Sequence, residues 1–256
     1  MHFEEFAEGN SFFHRLDPRV KFITLVPYIS VIAIMNGIRL PFLALIVSTL
    51  MASLAGIRTK SLFNRLIVVN AFVFFLWLFV PFSYPGNAVF HIGSLKATKE
   101  GFLYVLSITF KTNAIILATI AILGTSSVLS LAHALHHLRL PDKLIHLFFF
   151  FYRYISVLHE EYTKLRNAML IRAFKAKTDM RTYRAYAYLI GMLLVRSFER
   201  SQRIYRAMLC RGFKGRFYVM SHFELKRSDV LFCLLMAVIT CVMGFLFISK
   251  EWAWKA

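Results

Sequence analysis

Apolar residues gather along this chain into five runs, and polar or basic residues fill the stretches between them. The first run, Val20 to about Asn36, stops at the turn-forming pair Asn36-Gly37. A second run, Leu40 to Ile57, follows after a very short turn, and a third spans Leu66 to Pro81. Pro81 and Pro85-Gly86-Asn87 end the third, and a loop of about 15 residues leads to a fourth from Gly101 to Gly124. Val230 to Ile248 is the fifth. Each is near the roughly 17 to 25 residues that a helix needs to cross a bilayer core. The pattern predicts an all-α integral membrane protein with about five transmembrane helices. Residues 1–124 form an N-terminal membrane region with spans at about 20–36, 40–57, 66–81 and 101–124, residues 125–227 a cytoplasmic region of long amphipathic helices, and residues 228–256 a last span with a short tail.

Inside the polar region the periodicity changes. Helices are predicted from Ser126 to Arg139, Asp142 to Arg172 and Met180 to Arg211, with Thr125-Ser126 as an N-cap and Pro141 and Gly212 as stops. In the last of them Leu194, Phe198, Ser201, Tyr205 and Met208 recur at helical spacing and predict the packed face. The opposite side carries Arg196, Arg200, Arg203 and Arg206, with Glu199 one turn before Arg203 and able to pair with it. Leu144 to Tyr154, with four consecutive Phe at 148–151, is too short to span and is bounded by Lys143, His146 and Arg153. It is expected to lie at the interface or beneath the spans.

Composition agrees with a membrane protein: 58% of the 256 residues are hydrophobic, 27 are Phe, and the mean hydropathy is +0.60. A formal net charge of +18 is unusual for so apolar a chain and raises anionic lipid or nucleic acid as partners. Its placement narrows the choice. Nineteen of the 31 Lys and Arg fall between Thr125 and Arg227 against six acidic residues, a local charge of +13. With the N-terminus inside, 25 Lys and Arg lie on the inner side and five on the outer, which predicts a cytoplasmic N-terminus and an outer C-terminus in the cell's inner (plasma) membrane. The first 13 residues include Glu4, Glu5 and Glu8 and show no cleavable signal, so the first span is expected to direct insertion. Cys210, Cys233 and Cys241 include no metal- or redox-type pair. A nucleic-acid surface would interleave aromatics with bases on one exposed face, whereas Phe and Tyr here follow packing stripes, and no nucleic acid is expected.

One short sentence is written twice. Ala168-Met169-Leu170-Ile171-Arg172-Ala173-Phe174-Lys175-Ala176 returns 39 residues later as Ala207-Met208-Leu209-Cys210-Arg211-Gly212-Phe213-Lys214-Gly215, matching at six of nine positions. Each copy closes a helical run and should present its Arg at an exposed helix end, which implies two equivalent partner sites. Arginine suits such a contact, since its planar fork of donors binds carboxylates or carbonyls and keeps its charge when covered. The expected contact residues are Ile171, Arg172 and Ala173 with Cys210, Arg211 and Gly212, supported by Met169, Phe174, Met208 and Phe213 as apolar surroundings. No phosphate-binding loop or catalytic acid pair occurs, so catalysis and cofactors are not expected on this chain. His133, His136 and His137 have helical spacing, but no carboxylate or cysteine shares their turn, and no metal site is assigned. Lys111 and Asn113 sit mid-span and should face a protein interior or, for the lysine, snorkel.

These residues carry a resemblance. His14-Arg15-Leu16-Asp17-Pro18-Arg19-Val20-Lys21-Phe22 resembles the start of the transmembrane (T) component of energy-coupling factor transporters, and the two Arg-centred helix ends resemble the paired Ala-Arg-Gly coupling motifs of that family. Gly191 to Arg200 followed by Arg206 to Arg216 looks most like its cobalt-transport branch, CbiQ. The first motif departs in reading Ile171-Arg172-Ala173 where a glycine is more usual. The resemblance implies a non-enzymatic membrane subunit of an ABC-type importer for cobalt or nickel. Its implied partners are two CbiO-like ATPase subunits seated on Arg172 and Arg211, a CbiM-like substrate-capturing membrane subunit, a small CbiN-like accessory subunit, and the lipid bilayer. The alternatives are a T component of a vitamin-type transporter and an integral membrane lipid-modifying enzyme.

Overall fold

The computed structural model describes residues 9, 11–57, 59–85, 88–92, 95–128, 130–131, 134, 141–215 and 226–255. A 3-10 turn, Phe13–Arg15, leads into α1 (Pro18–Ile34), α2 (Arg39–Leu54) and α3 (Thr59–Ser83). A hairpin of β1 (Ala88–Ile92) and β2 (Leu95–Thr98) precedes α4 (Lys99–Ile122), and then follow α5 (Asp142–Ile171), α6 (Met180–Cys210) and α7 (Arg227–Lys255). The chain divides into two compact units, residues 139–222 and the remainder from both sides of that segment.

Local chemistry sets the element ends. Asp17 caps α1 by accepting from the Arg19 amide at 2.8 Å, with Pro18 at the first helical position, where its missing N–H costs nothing. Thr98 caps α4 through the Gly101 amide, and its hydroxyl also donates to the Tyr84 carbonyl at 2.8 Å. That hydroxyl holds the end of α3 against the start of α4, and a Cβ on Gly101 would lie 2.8 Å from Pro81 Cα. Within the loop expected between the third and fourth spans, β1 and β2 pair antiparallel with an irregularity between Ala88 and Phe90. The third apolar run also extends toward its N-terminus, and α3 carries Lys60 and Arg65 in its first turns.

Among the described residues, three helices are long and apolar enough to cross a membrane: α3, α4 and Arg227–Ser249 of α7. The hairpin of α1 and α2 is shorter, at 17 and 16 residues. At 1.5 Å per residue these measure roughly 25 Å, less than the roughly 30 Å hydrocarbon core. Contacts with α4 fix their depth. Ser107 donates to the Gly37 carbonyl at 2.7 Å, the Phe42 and Phe110 rings lie 5.4 Å apart, and Lys111 Nζ donates to the Ala33 carbonyl at 3.3 Å. The α1–α2 turn thus meets α4 about two turns inside its N-terminal end, and Lys111 reaches the carbonyl end of α1.

Small side chains allow this unit to close. Ala44, Ser48 and Ala52 recur every four residues on α2, and Ala114, Ala118 and Ala121 line α4; all six are buried. Helices in lipid associate through such close approach, because burial of apolar surface gains little there. The fully buried Tyr28 crosses from α1 and bonds the Ala44 carbonyl and the Ser48 hydroxyl at 3.1 and 3.0 Å. Between α3 and α4, Asn70 and Asn113 exchange two amide hydrogen bonds of 3.0 Å each, and Trp77 Nε1 donates to Thr109 at 3.1 Å. Asn113 accordingly faces the protein interior.

The unit of residues 139–222 is built on α5 and α6. Its facing stripe on α6 runs through Thr182, Ala185, Leu189, Leu193, Ser197, Arg200, Ile204 and Met208. Leu194, Phe198 and Tyr205, expected in the packed face, are 66%, 64% and 56% exposed. Two apolar stripes lie one residue apart on this helix, and the one containing Ala185 and Ser197 lets the backbones approach. The helix expected from Ser126 to Arg139 lies largely outside the described residues. Where it begins, Ser127 caps it by accepting from the Ser130 amide at 3.2 Å, in place of Thr125.

Candidate functional site: two matching helix ends

The repeated sequence makes a repeated structure. α5 ends at Ile171 with Arg172 as its C-cap, and α6 ends at Cys210 with Arg211 as its C-cap. The next residue is left-handed in both, at φ +58° for Ala173 and +78° for Gly212. Phe174 N–H donates back to the Met169 carbonyl at 3.1 Å and Phe213 N–H to the Met208 carbonyl at 3.0 Å. Ala173 N–H reaches Leu170 at 3.0 Å, and Gly212 N–H reaches Leu209 at 2.9 Å. This pair of bonds, six-to-one and five-to-two, is a Schellman motif, and its apolar companion joins the Met three residues before the cap to the Phe two after it.

The motif sorts the nine residues by exposure. Met169, Phe174, Met208 and Phe213 are half-buried, and Phe174 packs edge-on against Tyr186 at 5.8 Å. Ile171, Arg172, Ala173, Cys210, Arg211 and Gly212 are all exposed, Ile171 at 87%. The reversed chain holds the Phe against the helix and leaves the cap residue at the tip. Glycine suits Gly212 by conformation alone, since no atom lies within 4 Å of where its Cβ would sit. Ala173 adopts the same backbone at the cost of a strained φ.

Arg172 and Arg211 differ electrostatically from their basic neighbours. Arg196 bonds Glu161 across the α5–α6 contact, Arg200 approaches the same carboxylate at 3.9 Å, and Arg203 lies 3.9 Å from Glu199. The hydrogen bond from Arg196 holds the Glu161 carboxyl below the usual carboxylate range. Among the described residues neither Arg172 nor Arg211 has a side-chain hydrogen bond or ion pair, so both forks stand free for an external acceptor. They also sit at helix C-termini, where unpaired carbonyls already accumulate negative potential. Between α5 and α6 runs an apolar groove of about 390 Å³, lined by Phe150, Tyr154 and Leu158 on one side and Ser197, Ile204 and Met208 on the other.

The sequence reading did not find a second cluster, which lies in the other unit. Asp17, Lys21, Thr125 and Asp229 are 6%, 1%, 2% and 1% exposed. Asp17 and Lys21 lie in the opening stretch that carries the family resemblance, but nothing in the pattern pairs them with residues more than 100 positions away. His133, His136 and His137 lie outside the described residues.

A family model described as cobalt transport protein, CbiQ, matches residues 9–221, a segment that includes both Arg-centred helix ends. The chain belongs to the CbiQ family. It is 27% identical over 221 residues to the energy-coupling factor transporter transmembrane protein EcfT of Streptococcus equi subsp. equi, covering 82% of each chain. Against EcfT of Bacillus subtilis it is 26% identical over 222 residues, 82% of this chain and 84% of that one. An uncharacterized protein of Methanocaldococcus jannaschii is 23% identical over 247 residues, 94% of this chain and 85% of that one. Membership of the CbiQ family agrees with the helical membrane fold.

Proposed function

We propose that this chain is the transmembrane subunit of an ATP-driven importer of the energy-coupling factor type, carrying cobalt or nickel, and that Arg172 and Arg211 each seat one of two cytoplasmic ATPase subunits. The observation that carries the reading is the pair of matching Schellman ends, each presenting an exposed arginine that has no partner among the described residues. Two equivalent knobs fit two equivalent sockets, and a guanidinium fork fits a socket rimmed by carboxylates or backbone carbonyls. The printed names of the relatives, energy-coupling factor transporter transmembrane proteins, support the transporter class, and the family's description supports the metal. Hydrolysis belongs to the ATPase partners, and substrate capture to a separate membrane subunit of CbiM type with a CbiN-like accessory subunit. The apolar Met and Phe around each arginine exclude water from the docked charge, which strengthens the contact. Residues 125–227 form the cytoplasmic coupling domain, with the N-terminus inside.

A second reading concerns the substrate alone. The curated relatives' names specify a transporter and no metal, so a T component serving a vitamin keeps the same docking ends. Purification of the tagged chain from its native membrane, followed by vesicle uptake of radiolabelled cobalt, nickel and riboflavin, separates these readings. Two ABC-type ATPase subunits should copurify and ATP should drive cobalt or nickel accumulation. Riboflavin uptake alone would replace the metal, and the absence of any ATPase would overturn the functional reading.

A further inference from the structure

Three segments distant in sequence meet in one buried ionic cluster. From the first turn of α1, Lys21 Nζ donates to Thr125 Oγ1 at 3.2 Å, to the Thr125 carbonyl at 3.4 Å and to Ser126 Oγ at 2.5 Å. The Asp17 backbone N–H, just before α1, donates to Asp229 Oδ1 at 3.1 Å. The other carboxylate oxygen of Asp229 accepts from the Lys226 N–H at 2.8 Å, which caps the start of α7. Phe13 lays its ring edge-on against Phe232 at 5.5 Å, closing the same corner.

The positions of these segments in the chain give the cluster its meaning. Thr125 and Ser126 are where the chain leaves α4 toward the unit of residues 139–222, and Lys226 to Asp229 are where it comes back. Both connections are therefore bonded to the start of α1, one through Lys21 in its first turn and one through its N-cap Asp17. A force on the coupling helices that reaches the spans through the backbone must pass these two points. Thr125 and Asp229 are buried at these points, so their bonds are not exchanged cheaply for solvent. Asp17 Oδ2 is buried with no hydrogen-bond partner among the described residues. It lies one helical turn before Lys21, the spacing at which an acid and a lysine on a helix can meet. Lys21 thus has an alternative acceptor if Thr125 and Ser126 are pulled away.

We propose that Asp17, Lys21 and Asp229 are positioning residues that tie both connections to α1, and that this tie delivers the movement of the coupling helices to the membrane helices. The inference rests on the functional reading above and adds to it the route by which nucleotide-driven movement enters the spans. It assigns no catalytic role.

The test uses the full chain, made cysteine-free, in its complex with ATPase subunits in lipid nanodiscs. Spin labels at Leu54→Cys and Lys177→Cys report the distance between the two units by double electron–electron resonance, with and without ATP plus vanadate. The parent complex should show a nucleotide-dependent shift in that distance. Asp229→Ala removes both acceptor oxygens of the returning connection, and Thr125→Val with Ser126→Ala removes two of the three acceptors that hold Lys21 to the leaving one. Both variants should keep ATPase copurification and ATP hydrolysis, lose the shift, and lose uptake. The milder Thr125→Val with Ser126→Ala pair still decides the matter should Asp229→Ala fail to accumulate. An unchanged shift in either variant overturns the tie while leaving the functional reading standing. Loss of ATPase copurification in parallel with loss of the shift also overturns it, because the cluster would then only hold the fold. If the parent complex itself retained no ATPase, the functional reading would fall and the tie with it.

Discussion

At the scale of single residues, the strain at Ala173 and its relief at Gly212 set the two proposed docking ends apart. An L-residue in the left-handed region costs roughly 1 to 2 kcal/mol relative to its usual conformation, and glycine avoids that penalty. Ala173→Gly is expected to stabilise the end of α5 by about 1 kcal/mol and leave ATPase binding intact. Gly212→Val should destabilise the end of α6 by at least as much, because a β-branched side chain resists positive φ more strongly than alanine. Amide hydrogen exchange at Phe174 and Phe213 would register both changes; equal protection in parent and Gly212→Val would contradict the cap assignment. The nine-residue repeat made the arginine positions legible in the sequence, since a duplicated Arg followed by Gly or Ala marks a helix stop. What the repeat could not convey was the partner status of the guanidiniums. That depends on Glu161 lying opposite Arg196 and Arg200 and, among the described residues, on no acid pairing with Arg172 or Arg211.

Between elements, the α5–α6 contact turns on one carboxylate. The Glu161 side chain is 13% exposed and joins Arg196 and Arg200 of α6 from α5. Its pKa is lowered in the folded state, so its contribution is complete above the unfolded value of about 4.3 and is lost as pH falls through the lower folded value. The contact between α5 and α6 should therefore be insensitive to pH from neutrality down to about 5 and loosen only in stronger acid. Glu161→Gln should remove that acid transition; a midpoint near neutrality, followed by Tyr fluorescence of the purified chain, would contradict the assignment. Helix existence was legible here: α5 and α6 end within one residue of the expected limits. The packed face was not, because α6 carries two adjacent apolar stripes and only the partner helix selects between Leu193 and Leu194. The β-hairpin was missed for a related reason, whereas the α1–α2 pair was foreseen and only its helix ends, Ile34 and Leu54, fall short of the expected Asn36 and Ile57. Alternation over four or five residues is a weak signal, and an apolar run of membrane length does not say how much of it is helix.

For the whole molecule, the helical membrane class was legible because apolar runs and clustered Lys and Arg report the bilayer directly. The buried cluster of Asp17, Lys21 and Asp229 was not, since its bonds cross up to 212 residues of chain. The proposed orientation rests on charge placement and is open to a direct test. A single cysteine at Lys177, with Cys210, Cys233 and Cys241 replaced, should resist an impermeant thiol reagent added outside intact cells, and ready labelling would reverse the topology. Docking of the ATPase pair is the claim on which the account depends, and the affinity of purified ATPase subunits for the chain in nanodiscs tests it most directly. Losing a buried, hydrogen-bonded charge partner at an interface costs about 2 to 5 kcal/mol, roughly 30-fold to several thousandfold in affinity. With two docking ends in one complex, Arg172→Glu or Arg211→Glu alone is partly masked by the remaining contact, and the double variant should be far weaker than either. Arg206→Glu, with the same charge change on an exposed residue outside the repeat, should bind as the parent does. If Arg206→Glu weakened binding as much as Arg211→Glu, or if the double variant bound like the parent, the two helix ends would not be the docking points.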